Sequence, residues 1–277
     1  MCTIGTVFDG ENIHTFKQCD LIPETKFNEP VKRKGFNQVD SYIAMTREGS
    51  DGVWAGVNDA GVAFVAADSY SATAANYAVS SKESKALFRV YETCISSYAS
   101  ARDAAKSLIN FYKTMGGSTP FPAPDISLIS GWSDAEKTQA ISIFIEYMPN
   151  PYNQDSIRTI ERSNGFFVST NHFRLQPNAV NYPANHSTYL RLNRAETILQ
   201  SDCSKDGIES LLRDQYYGQT ELSICRETDY IGTEFRTQAT ALFTVTKHKE
   251  PKEPKKPVCD YQINGNPKNN DLRNKNL

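Results

Sequence analysis

The chain has 277 residues, a formal net charge of −2, 39% hydrophobic and 22% charged residues. That length accommodates one large domain with a real core, and the balanced charge supplies no global field for nucleic acid or an anionic membrane surface. No apolar run reaches the roughly 18–20 residues of a membrane span, and the start lacks the basic and apolar regions of a secretory signal, so a cytoplasmic protein with no nucleic-acid or membrane partner is expected.

The runs "CTIGTVFD" (2–9) and "NIHTFKQC" (12–19), joined by "GEN", predict a hairpin built from the start of the chain. Residues 21–38, polar with two prolines, read as a surface loop, followed by a strand in "DSYIAMTR". In "GVWAGVNDAGVAFVAADSYS" two apolar runs flank Asn58-Asp59-Ala60-Gly61, a tight-turn signal. Two amphipathic helices come next. Leu87, Val90, Tyr91, Cys94, Ile95 and Tyr98 share one face of the first. The second carries Ala101, Ala105, Leu108, Phe111, Tyr112 and Met115; Ser100 with Asp103 caps its start and Gly116-Gly117 stops it.

Strands follow in "DISLISGW", "TQAISIFIEYM", "RTIERS" and "GFFVST", the last pair turning at Asn164-Gly165. Helices are expected in "STYLRLNRAETILQ" and "SKDGIESLLRDQ", and a late strand in "ATALFTVTKH". A charged, proline-rich loop near 247–257 precedes a last short strand in "VCDYQINGNP", and a flexible tail is expected from about residue 266. Runs of strands and runs of helices are segregated, which argues for an α+β domain of antiparallel sheets spanning 1–277. No glycine-rich phosphate loop and no fixed repeat is present.

The six cysteines, Cys2, Cys19, Cys94, Cys203, Cys225 and Cys259, form no CxxC pair. Reduced thiols are expected, with neither a zinc site nor a disulfide scaffold. Cys2 stands out by position. Once Met1 is removed, one residue carries both a thiol that can attack a carbonyl carbon and an α-amine that can take its proton, with an ordinary pKa near 7.7–8.0. Read alone, Cys2 is better taken as a small hydrophobe at the start of a strand.

Further motifs stand in order behind "MCT": "FKQCDL", "WAGVNDAGVAFVAADS", "FFVSTNHF" and "TYLRLNRAETIL". Together they resemble the N-terminal-nucleophile (Ntn) hydrolases of the linear amide group: bile-salt hydrolases, penicillin V acylases and isopenicillin N acyltransferase-like enzymes. The resemblance is closer to the last branch and covers roughly residues 1–200. It implies a four-layer αββα sandwich of antiparallel sheets. It also implies an amidohydrolase or acyltransferase in which Cys2 forms a thioester acyl-enzyme that water or an amine then releases. Substrates would be small N-acyl amides, with no cofactor or metal. A homo-oligomer is a further implication, of a subunit number the sequence does not give.

Carried over position by position, the resemblance makes Asp20 the acceptor for the α-ammonium of Cys2. Lys17 stands where the bile-salt branch has arginine, keeping the charge and losing the planar fork. Gln18 replaces an asparagine common in the family. Asn171 matches the side-chain donor to the tetrahedral oxyanion, and Arg191 the arginine expected to hold Asp20 and the active-site charges by a bidentate contact, with Arg194 on roughly the same helical side. Asp68 departs from the pattern: it occupies the place of a polar oxyanion donor, and an ionised carboxylate cannot donate. It is assigned to substrate binding, unless the alignment slips by one residue. The loops 22–38 and 69–82 would govern whether water or an amine reaches the acyl group. The alternatives are a catalytically inactive binding protein of the same fold, and a cysteine peptidase with His172, His186 or His14 as base.

Overall fold

The computed structural model describes residues 2–69, 81–115, 125–148, 157–176, 179, 182–227, 235–246, 256–268 and 270–277. Met1, the Gly116-Gly117 stop, nearly all of the loop 69–82 and most of the proline-rich loop lie outside these residues.

The expected hairpin forms from β1 (Cys2–Asp9) and β2 (Asn12–Leu21), turning through Gly10 at φ 54°. β10 (Phe166–Ser169) pairs on the outer side of β1, and β11 (Arg236–Thr246) on the far side of β2. With β12 (Val258–Ile263) and β13 (Arg273–Asn276) they make a six-stranded antiparallel sheet, β10-β1-β2-β11-β12-β13. The second sheet is a seven-stranded antiparallel meander in chain order. It comprises β3 (Val31–Lys34), β4 (Ser41–Thr46), β5 (Val53–Asn58), β6 (Ala63–Asp68), β7 (Asp125–Trp132), β8 (Ala140–Tyr147) and β9 (Ile157–Arg162).

Helices α1 (Ser81–Ser96) and α2 (Ala101–Met115) cover the outer face of the seven-stranded sheet. The capping box forms as expected: Asp103 N–H donates to Ser100 Oγ at 3.1 Å, and that hydroxyl donates to the Asp103 carboxylate at 2.8 Å. Helices α3 (Ser187–Ser201) and α4 (Lys205–Leu212) cover the six-stranded sheet. The result is a four-layer αββα sandwich, as the motif resemblance implies. Strand alternation feeds three apolar layers. Ile4, Ile13, Ile43, Phe144 and Phe243 fill the space between the sheets. Phe64, Tyr91, Leu108 and Tyr112 lie under α1 and α2, and Val7, Phe16, Leu192 and Leu211 under α3 and α4.

Two segments differ from expectation, and both are polar edge strands. β3, "VKRK", forms inside the stretch read as a loop, and β13, "RNKN", inside the stretch read as a flexible tail. Neither has an apolar face; each is held by main-chain pairing to its neighbour, β4 or β12. Leu277, one residue past β13, anchors the tail in the inter-sheet core.

Candidate active site

The site is built where the start of β1 meets the end of β10. Ile4 pairs with Ser169 in these antiparallel strands, and continuing the register by two residues sets Asn171 opposite Cys2. The Cys2 N–H donates to Asn171 Oδ1 at 2.8 Å. The same oxygen accepts from Arg191 Nη2 at 2.9 Å, while Asn171 Nδ2 donates across to the main-chain oxygen of Asp68 on the other sheet at 2.8 Å. Thr188 Oγ1, on α3, accepts the Asn171 N–H at 3.0 Å. One amide thus ties both sheets and a helix around the first residue of β1.

Odd-numbered residues of β2 point between the sheets and even-numbered ones toward the helices, and this alternation sorts the site into two faces. On the inter-sheet face Cys19 sits opposite Cys2, and Lys17 opposite Ile4. Lys17 is buried; its ammonium donates to the Ala66 carbonyl and lies 4.4 Å from the centre of the Trp54 ring. The hydrogen bond from the Cys19 thiol, aided by the Lys17 charge, holds the Cys2 thiol well below its ordinary range against the upward push of burial. Cys19, as the donor, moves the other way.

On the helix face, Asp20 Oδ1 accepts from Thr237 Oγ1 at 2.8 Å, and Oδ2 lies 3.5 Å from Arg226 Nε. Arg226 thus places a buried cation beside Asp20. Arg191, 0% exposed, donates to the Cys2 carbonyl at 2.7 Å, to Thr3 Oγ1 at 3.2 Å and to Asn171. Ser187 Oγ links the two guanidinium groups, accepting from Arg191 Nε and Arg226 Nη2 at 3.2 Å each. Gln18 is structural here: it donates to the Leu212 carbonyl at 2.9 Å and accepts from Thr240 Oγ1 at 2.7 Å. Arg194 binds Asp214 through Nε and Nη2 at 2.9 and 2.8 Å.

Asp68 contributes to the site through its main chain. In β6, Ala63, Val65 and Ala67 face the other sheet, whereas Phe64 and Ala66 face α1 and α2. Asp68 belongs to the second set, its side chain exposed. Continuing the alternation turns the next residue, Ser69, into the inter-sheet space. Ser69 is 5% exposed and its hydroxyl has no hydrogen-bond partner among the described residues.

Each of the three candidate histidines has partners of its own. His172 Nδ1 lies 2.9 Å from Thr188 Oγ1 and 3.2 Å from Thr170 Oγ1, and the ring packs edge-on against Tyr189. Burial, with the fields of Arg174 and Arg191, pushes it down to about 4. His14 pairs with Val7, five residues along β1 from Cys2, about 17 Å at the rise of a strand. His186 caps the start of α3 and stacks on Tyr182.

A cavity of about 440 Å³ opens beside this face, with Trp54, Phe88, Arg47 and Lys26 in its wall and the exposed Glu24 and Glu48 at its rim. Trp54 connects it to the site, because the same ring carries the Lys17 ammonium. The indole N–H of Trp54 and Nε of Arg47 are buried with no hydrogen-bond partner, and Arg47 has no carboxylate at ion-pair distance among the described residues.

Arg226, Cys19, Thr237 and Ser69 were not singled out from the sequence. Only Cys19 and Ser69 carried a signal there: each is adjacent to a residue that was, and the period of two places it on the opposite face. Among the described residues, no group of three or more His, Cys, Asp or Glu side chains is placed to hold a metal ion.

No protein-family model and no curated protein matches the chain by sequence. Solved structures do match. A variant of the conjugated bile acid hydrolase from Clostridium perfringens aligns with a TM-score of 0.55 at 12% identity, over 100% of this chain and 92% of that one. Penicillin V acylase from Agrobacterium tumefaciens gives 0.50 at 15% identity, over 95% and 83%. The Caenorhabditis elegans ortholog of N-acylethanolamine-hydrolyzing acid amidase gives 0.49 at 11%, over 87% and 92%. At such identities the likeness is one of fold: the chain has the αββα fold of the Ntn hydrolases, as found in conjugated bile acid hydrolase and penicillin V acylase.

Proposed function

We propose that the protein is an amidohydrolase or acyltransferase that cleaves a linear C–N amide through a thioester on Cys2, after removal of Met1. The observation that carries this reading is the convergence on Cys2 of Asn171 at its nitrogen, and of Cys19 and the Lys17 charge at its thiol. With Met1 gone, Asn171 Oδ1 holds the α-amine in place of the amide N–H. The thiolate attacks the carbonyl carbon of the substrate, its proton having passed to the α-amine. The second N–H of Asn171 Nδ2 and the Ser69 hydroxyl are the donors to the oxyanion. The C–N bond then breaks, the α-ammonium protonates the leaving nitrogen, and water or an acceptor amine releases the acyl group. Arg226 and Arg191 position the site, one by holding Asp20, the other by holding Asn171 and the Cys2 carbonyl.

Nε of Arg47 and the Trp54 indole N–H, unpartnered among the described residues in one cavity wall, support an N-acyl amide that carries a carboxylate. N-acyl amino acids, penicillin V and bile-salt conjugates are the panel to test. Turnover should accompany a hydroxylamine-sensitive acyl adduct on the peptide that begins with Cys2. Cys2→Ser should show neither. Full activity in Cys2→Ser, or an active protein that retains Met1, would sink the reading. The His172 environment gives a histidine-base peptidase no support: a ring held neutral down to about pH 4 cannot be the cationic partner of a thiolate at neutral pH.

A further inference from the structure

We propose that Cys2 and Cys19 are an oxidative modification site, at which a hydroperoxide joins the two thiols as a cross-strand disulfide between β1 and β2. The register sets the two residues directly opposite each other. The main chain of Cys2 shows which kind of antiparallel pair they form. Its N–H donates to Asn171 Oδ1 at 2.8 Å and its carbonyl accepts from Arg191 at 2.7 Å. Both groups therefore point away from β2. That is the signature of a non-hydrogen-bonded pair, in which Cα atoms stand about 4.5 Å apart and side chains come closest. Disulfides span Cα separations of about 4.4–6.8 Å, so the strands have no large distance to travel. Both side chains lie on the inter-sheet face.

The remaining thiols lack this arrangement. Cys94 lies on α1, Cys203 between α3 and α4, Cys225 in the segment between α4 and β11 and Cys259 on β12, and burial pushes each of them up. Cys2 is the thiol that would react first, because the thiolate is the nucleophile. It attacks one peroxide oxygen; the O–O bond breaks, hydroxide leaves and becomes water, and Cys2 is left as a sulfenic acid. At that point the negative charge that kept Cys19 protonated is gone, while the fields of Lys17 and Arg47 that favour a thiolate remain. Cys19 then attacks the Cys2 sulfur, its own proton leaves with the displaced hydroxide as a second water, and the S–S bond forms. Two thiols are oxidised by two electrons and one hydroperoxide is reduced. Cys19 thereby diverts Cys2 from the irreversible sulfinic and sulfonic states, and a dithiol returns both residues to the active form.

The disulfide does not depend on Cys2 being the catalytic nucleophile; only its inhibitory effect rests on that reading. The protein is exposed to hydrogen peroxide, unreacted thiols are blocked with N-ethylmaleimide under denaturing conditions, and the digest is mapped by mass. Cys2 and Cys19 should be recovered in one cross-linked species, two hydrogens lighter than its separate peptides and split by dithiothreitol, with Cys94 and Cys259 alkylated. In Cys19→Ala, Cys2 should instead accumulate as sulfinic or sulfonic acid that dithiothreitol does not reverse. Wild-type protein in which Cys2 is over-oxidised while Cys19 is still alkylated overturns the proposal, and this map decides the matter even where Cys19→Ala fails to fold. Cross-linked protein that keeps its full turnover leaves the modification site standing and overturns Cys2 as nucleophile.

Discussion

Asn171 Oδ1 accepts from both Cys2 and Arg191, and Nδ2 donates to Asp68, so this side chain has one N–H left for an oxyanion. Asn171→Ala should lower kcat by roughly 100- to 1,000-fold, the usual loss of one oxyanion donor, with a smaller change in KM. A change confined to KM would move Asn171 out of the transition state. Lys17 acts through its charge. The rate of Cys2 alkylation should rise with pH through a midpoint below that of an ordinary thiol, near 8.5. Lys17→Met should move the midpoint upward, because the neutral side chain no longer favours the thiolate; an unmoved midpoint removes Lys17 from thiol activation. Arg226 is buried beside Asp20. Arg226→Met removes the cation that lies 3.5 Å from that buried carboxylate, at a cost of about 3–5 kcal/mol measurable by urea denaturation. A loss under about 1 kcal/mol would mean that the pair contributes little, as exposed pairs do.

The elements that carry the site are those whose residue pattern is strongest. "CTIGTVFD", "NIHTFKQC" and the Asn58–Gly61 turn have apolar faces or turn chemistry that admit one reading, and they form β1, β2 and the β5–β6 connection. The turn is secured from inside: Asn58 Nδ2 donates to the carbonyls of Ile95 and Tyr98 at 2.9 and 2.8 Å. β3 and β13 were illegible because their stability resides in a neighbour's backbone and not in their own side chains. The same limit explains the site. Motifs in a linear sequence marked Cys2, Asp20, Asn171 and Arg191, but that Arg226 comes within 3.5 Å of Asp20 depends on how the chain beyond α4 packs, and no local pattern encodes that. The segment that follows Asn171 has its own anchor on β8. Glu146 accepts the N–H groups of Arg174 and Leu175 at 2.5 and 2.9 Å, yet burial still pushes it up to about 7. A folded pKa raised above the unfolded value makes a contribution that is complete below about pH 4 and lost as pH rises through 7. Glu146→Gln should therefore gain stability relative to wild type between pH 5 and 8. Parallel urea midpoints across that range would exclude Glu146 as the titrating group.

At the scale of the molecule, three of the four sheet edges, all but β10, are strands that resist further pairing. β3 carries three basic residues, β9 is half exposed with charges of both signs, and β13 is polar throughout. The chain's last residue is nonetheless structural: Leu277 is 5% exposed, packed in the inter-sheet core. Leu277→Ala should cost about 2–5 kcal/mol, as for other buried leucines, whereas a flexible tail would show no change in the denaturation midpoint. No helix among the described residues is long and apolar enough to cross a membrane.

The bridge from Asp68 through Asn171 to Cys2 joins two sheets that are separate in chain order and meet only through tertiary contacts. The two side chains that lower the Cys2 thiol, Cys19 and Lys17, both lie on β2, while Asn171 and Arg191 hold its main chain from more than 160 residues away. An unfolded chain is therefore expected to bear an ordinary cysteine and to gain a reactive one once β1 and β2 pair. Reactivity toward a dilute alkylating agent becomes a clock for closure of that first hairpin.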